Sequence, residues 1–142
     1  MEQSRRQHIL FVDDDADLRT TLAETFRAHG FIVTEKANGE EAFRWLATSR
    51  PDAVLTGILM PRMGGFELIE RLRTDPERRG IPIFIFSHLG RPEDRARAKK
   101  IGAKDFFVYG FIPPGEIAAL IAGFLGAGAP APIGGGSGGG TP

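Results

Sequence analysis

The sequence predicts an open, doubly wound α/β sandwich, a parallel sheet with helices on both faces. Two observations carry this. Five short apolar runs recur along the chain, Ile9 to Val12, Phe31 to Val33, Ala53 to Leu55, Ile81 to Phe86 and Phe106 to Val108, with helical periodicity between them. Four of the five are nearly continuous in apolar character instead of alternating, the pattern of strands covered on both faces. The second is more polar, because Thr34, Glu35 and Lys36 follow it, and it is expected at an edge. Right-handed crossovers leave few ways to order five strand-helix units.

The helices follow from spacing and end signals. Asp17 to His29 places Leu18, Leu22 and Phe26 four apart on one face, with Gly30 where a helix stops and Asp15 or Asp17 as cap. Asn38 caps a second helix that buries Ala42, Phe43 and Leu46 and cannot continue through Pro51. A third runs from about Gly65 to Thr74 with Phe66, Ile69 and Leu72 inward. The fourth, Pro92 to Ile101, offers only Ala96, Ala98 and Ile101 to a core and is expected to be loosely held. The fifth, Pro114 to Leu125, carries Ile117, Leu120, Ile121, Phe124 and Leu125, more than one sheet face needs. The architecture this implies is a flavodoxin-like, five-stranded parallel sheet in the order 2-1-3-4-5.

At 142 residues the chain is expected to form one domain, residues 1–126. Residues 127–142, rich in Gly and Pro with one Ser and no charge, read as a flexible linker. It is either a tether to a partner or second domain, or an artificial appendage. Lys plus Arg and Asp plus Glu both number 18, so no overall basic field favours direct nucleic-acid binding. No apolar run approaches the roughly 20 residues of a membrane span. Cysteine is absent, which excludes disulfides and thiolate chemistry, and no secretory h-region is visible, so the cytoplasm is expected.

In open α/β sheets function collects at the C-terminal strand ends. Here those ends read Asp13-Asp14-Asp15, Thr56-Gly57, Ser87-His88 and Tyr109-Gly110. Together with Met60-Pro61, Gly65-Phe66 and Gly102-Ala103-Lys104-Asp105, this series over residues 8 to 125 resembles the response-regulator receiver domains of two-component, phosphorelay signalling.

That resemblance implies a specific chemistry. Two acidic residues after strand 1 and an acceptor aspartate after strand 3 hold Mg²⁺, and the acceptor carboxylate attacks phosphorus. A Ser or Thr after strand 4 and a Lys after strand 5 then bind the phosphoryl oxygens. Asp13 and Asp14 match the acid pair and Ser87 the hydroxyl, but Gly57 stands at the acceptor position and Tyr109 at the lysine. Gly64 also replaces a usual acidic residue. Asp13 and Asp14 are therefore expected to bind Mg²⁺ weakly if at all, with no cofactor required. Tyr109 is expected to fill the vacated pocket.

Each residue also admits a structural role. Asp13 to Asp15 serve equally as a helix start, Ser87 as a strand-end hydroxyl bonded to backbone, His88 as a surface residue, and Arg91, Arg95, Arg97, Lys99 and Lys100 as a solvated helix face. Thr56 points to the opposite face from Gly57 and makes a poor substitute acceptor.

The leading expectation is a receiver-like module that is not phosphorylated, is not an enzyme, and acts through protein contacts. The expected surface is helix 4, strand 5 and helix 5, with Arg95, Lys99, Phe111 and Ile112, taking a homodimer, a protein partner or a histidine kinase. One alternative is an ordinary phospho-accepting regulator whose acceptor lies elsewhere or has been substituted. Another is a nucleotide-binding or enzymatic protein of this fold, against which stand the absence of a Gly-rich phosphate loop after strand 1 and of any nucleophile-base pair among His8, His29 and His88.

Overall fold

The computed structural model describes residues 6–126, so the predicted tail at 127–142 lies outside the described residues. Five strands, β1 (His8–Val12), β2 (Ile32–Lys36), β3 (Ala53–Thr56), β4 (Ile83–Ser87) and β5 (Asp105–Val108), alternate with five helices. The helices are α1 (Ala16–Ala28), α2 (Gly39–Leu46), α3 (Gly65–Arg73), α4 (Pro92–Lys100) and α5 (Pro114–Leu125). The sheet runs β2-β1-β3-β4-β5, and every pairing is parallel. The predicted fold class and strand order are those observed.

Side-chain alternation divides the strands between two cores. Leu10, Val12, Val54, Ile83, Ile85, Phe106 and Val108 face α2, α3 and α4. Ile9, Phe11, Leu55, Phe84, Phe86 and Phe107 face α1 and α5, where Leu22, Phe26, Ile117 and Ile121 complete a phenylalanine-rich layer. Covering both faces is what makes the strands apolar without alternation.

Two strand boundaries differ from the sequence expectation by more than one residue. β2 continues through Thr34, Glu35 and Lys36, which pair with Leu10, Phe11 and Val12; an edge strand tolerates polar residues because part of each side chain reaches solvent. β4 begins at Ile83 although Ile81 is buried. Pro82 has no amide hydrogen to donate, and the Ile81 amide closes the preceding turn onto the Arg78 carbonyl at 3.0 Å.

The caps follow local chemistry. Asp15, not Asp17, caps α1, its carboxylate accepting from Leu18 N at 3.1 Å. Asn38 caps α2 by accepting from Glu41 N at 2.9 Å, and the Glu41 carboxylate in turn accepts from Ala37 N at 3.2 Å. Helix α4 buries only Ala98 completely. Ala96, expected inward, is exposed, because the sheet-facing stripe of this short helix is filled by Ala98 and the half-buried Ile101. Arginines complete its attachment: Arg95 lies 5.0 Å from the Phe106 ring, and Arg97 lies 4.4 Å from Phe66 while pairing with Glu70 at 3.3 Å. In α5 the apolar surplus is real, with Leu120 and Phe124 about half exposed.

Candidate functional site at the strand C-terminal ends

Parallel pairing brings the ends of β1, β3 and β4 to one edge of the sheet. Val12 is level with Thr56, and the next amide, Gly57 N, donates to the Val12 carbonyl at 2.9 Å. Asp13 therefore sits directly beside Gly57. Its backbone is fixed from two sides: Asp13 N donates to the Lys36 carbonyl at 3.1 Å, and Arg19 Nη1 donates to the Asp13 carbonyl at 2.7 Å. Arg19 also pairs with Glu35 at 3.2 Å, which ties the β1–α1 turn to β2.

The Asp13 side chain is buried, with one oxygen, Oδ1, accepting from Asp15 N at 2.8 Å. Burial pushes its carboxyl above the ordinary carboxylate value, with a further upward push from the Asp14 and Asp15 charges. The Asp15 amide and the nearby His88 act in the opposite direction. The other oxygen, Oδ2, lies 2.7 Å from where a Cβ on Gly57 would be. Asp13 thus leans into space that any larger residue at position 57 would claim.

Glycine is also required across the cleft. A Cβ on Gly65 would run into the Gly57 carbonyl oxygen, so the loop between β3 and α3 closes tightly over the strand end. Gly65 N donates to the Ile58 carbonyl at 2.8 Å, and Gly39 N to the Met63 carbonyl at 2.9 Å, clamping that loop to α3 and α2. Thr56 is fully buried and its hydroxyl donates to the Gly57 carbonyl at 3.0 Å, so it is turned away from the cleft as expected. Asp52 lies at the opposite end of the sheet, where its carboxylate accepts from His8 N at 2.8 Å.

Around this centre is a cleft of about 520 Å³. Asp13, Asp14 and Asp15 from the β1 end line it together with Gly57, Ile58 and Leu59 from the β3 end, Ser87 and His88 from the β4 end, and Arg91, Asp94 and Arg97 from the α4 segment. Ser87 is half-buried with its hydroxyl accepting from Leu89 N at 3.1 Å, a backbone bond of the kind that was one of its two expected roles. Arg91 and Arg97 were not singled out for the cleft; sequence spacing places them on the solvent face of α4, and only the seating of that helix against Phe66 turns them toward it.

Tyr109 does not fill the vacated pocket. It is about half exposed and does not line the cleft around Asp13, its ring 5.3 Å from His88 and edge-on to Phe86 at 5.8 Å. The reason lies in β5: Tyr109 N pairs with the Ser87 carbonyl, and the chain then turns at Gly110 with φ +89°. Tyr109 lines a second cleft instead, between α1 and the β5–α5 loop. Of the expected contact residues, Arg95, Lys99 and Phe111 are exposed, whereas Ile112 is half-buried against the α1–α5 core and offers less surface than expected.

The residues present match the implied Mg²⁺ site poorly. Asp13 is partly committed to Asp15 N, Asp14 is exposed, and among the described residues no three His, Cys, Asp or Glu side chains cluster as a metal centre. Two carboxylates can hold a largely hydrated cation, but the three-carboxylate set is not there.

The fold and cleft define a class: flavodoxin-like α/β proteins with an acidic site where the strand order reverses. Residues 9–121 match the model of the response regulator receiver domain, and the chain belongs to that family. It is 36% identical over 107 residues to the gliding motility regulatory protein of Myxococcus xanthus, covering 75% of this chain and 14% of that protein. It is 32% identical to the probable transcriptional regulator ycf27 of Guillardia theta, covering 76% of this chain and 41% of the relative. The chain thus spans less than half the length of these relatives. Among solved structures, the receiver domain of a signal transduction histidine kinase from Syntrophus aciditrophicus superposes with a TM-score of 0.77 at 30% identity, covering 84% of this chain and 90% of that one. Among the described residues no helix is long and apolar enough to cross a membrane.

Proposed function

We propose that this receiver domain transmits signals through protein contacts without accepting a phosphoryl group. The observation that carries the reading is Gly57: the strand end where the resemblance places the nucleophile has no side chain, and the neighbouring carboxylate leans into the space. Tyr109 supports it, since a phenol turned toward a different cleft supplies no cation for phosphoryl oxygens. Thr56, the last residue of β3, and Asp52, which precedes that strand, are respectively committed inside the fold and at the far end of the sheet. The domain needs no cofactor in this reading, and Asp13 with Asp14 binds Mg²⁺ weakly.

The contact surface comprises α4, β5 and α5. Phe111 is 87% exposed, Leu120 and Phe124 add apolar area along α5, and α4 adds the exposed charges of Arg95 and Lys99. Such a surface suits a protein partner, a second copy or a histidine kinase, and not a nucleic acid, since the chain carries no net positive charge. The ordinary phospho-accepting role is the competing reading. Incubating the natural chain and its Gly57→Asp variant with Mg²⁺ and labelled acetyl phosphate separates the two. Label on the variant alone supports the proposal, and label on the natural chain overturns it.

A further inference from the structure

Two exposed features face opposite sides of the sheet and remain unpartnered. The first is the cleft of about 710 Å³ between α1 and the β5–α5 loop, within the size range of binding clefts. Leu18, Leu22 and Ile112 form its apolar lining, Tyr109 and Phe111 flank it, and Asp17 stands on its rim. Asp17 has no ion pair among the described residues.

The second is a stripe on α4. Pro92, Arg95, Ala96 and Lys99 stand at i, i+3, i+4 and i+7, which puts them on one helical face, and all four are exposed. The small Ala96 leaves a notch between two cations. Neither Lys99 nor Arg95 has an ion pair among the described residues, and the Arg95 guanidinium lies over the Phe106 ring. The acidic residues of the helix, Glu93 and Asp94, lie off the stripe.

We infer that α4 of one copy docks into the α1/β5–α5 cleft of a second copy. Arg95 and Lys99 lay their aliphatic stems on Leu18 and Ile112 and bring their charges to Asp17 and to the faces of Tyr109 and Phe111. Charge complementarity selects this occupant. The chain has no net charge, yet carboxylates collect at the start of α1 and cations on α4, so a second copy supplies what each patch lacks. α4 packs with one core layer and the cleft with the other. One copy therefore cannot fill its own cleft, and the contact is head-to-tail, with a free helix at one end and a free cleft at the other. The inference rests on the proposed contact-based function and names its partner.

Sedimentation equilibrium of the full chain tests it. At low salt the average mass is expected to rise with concentration up to about 1 mM, the affinity range of a small polar contact. It should fall back at about 0.5 M salt, where screening shortens to roughly 4 Å. D17N alone and R95Q/K99Q alone should remain monomeric, each keeping one intact half. An equimolar mixture should associate and stop at a dimer, because a single compatible helix-cleft pair remains. A natural chain that stays monomeric throughout, a single variant that associates as the natural chain does, or a mixture that stays monomeric overturns the inference. None of these results bears on phosphoryl labelling, so the two proposals fail separately.

Discussion

A single methyl group at position 57 would collide with Asp13 Oδ2, and this contact makes the cleft testable at the scale of one residue. Asp13 is held by Asp15 N, so Gly57→Ala is expected to displace the carboxylate and weaken that bond, costing about 1 kcal/mol of stability by urea titration. Gly65→Ala meets a backbone oxygen, which cannot rotate away as a side chain can. Its cost should be larger, about 2–3 kcal/mol, read as a clear drop in the denaturation midpoint. The buried Asp13 carboxyl also predicts a pH dependence. Its protonated form is favoured in the fold, so its contribution to stability is full below the ordinary value of 3.8 and is lost as pH rises through the raised folded value. Without divalent cations, Asp13→Asn keeps an oxygen for Asp15 N and removes the buried charge. It should be more stable than the natural chain at neutral pH, with the difference vanishing below pH 3.8; a constant difference across that range contradicts the assignment. Positions 13, 87 and 109 were legible in the sequence because each directly follows an apolar run, and Gly57 because it lies one residue beyond such a run, after Thr56. The direction of Tyr109 was not, since it depends on how the chain turns at Gly110 after its last strand pairing.

Among the elements, α2 and α4 are held in different ways. The α2 entry depends on Asn38, itself buried, so Asn38→Ala should cost about 1 kcal/mol and loosen the start of that helix first. α4 buries one side chain completely and otherwise rests on the half-buried Ile101, two arginine-ring contacts and the Arg97–Glu70 pair. Its amides are expected to exchange with solvent faster than those of α1, which buries Leu22, Ala23 and Phe26; equal protection would count against a weakly anchored α4. Helix ends were legible where punctuation was strong, as at Gly30, Pro51 and Pro114. The face of α4 was not, because with Ala96, Ala98 and Ile101 as the candidates, apolar spacing hardly distinguishes inside from outside. The end of β2 was missed for a related reason: edge pairing admits Glu35 and Lys36, which composition alone reads as loop.

Across the whole molecule, the same arrangement that made the fold readable hid part of the site. A sheet covered on both faces produces continuous apolar strands, so strand number and crossover rules were enough to order the sheet. The clefts arise between elements far apart in the chain, such as α1 with the β5–α5 loop, and no local pattern marks them. The balance of 18 basic and 18 acidic residues averages over an acidic edge at the β1–α1 turn and a basic α4, both visible as local runs, but it does not show that they lie on opposite sides of the sheet. The central claim concerns what the assembled edge lacks, a carboxylate presented at the end of β3. Its most direct test is the intact mass of the purified natural chain after incubation with Mg²⁺ and acetyl phosphate. The account predicts an unchanged mass, whereas a stable phosphoryl adduct would show a working acceptor and contradict it.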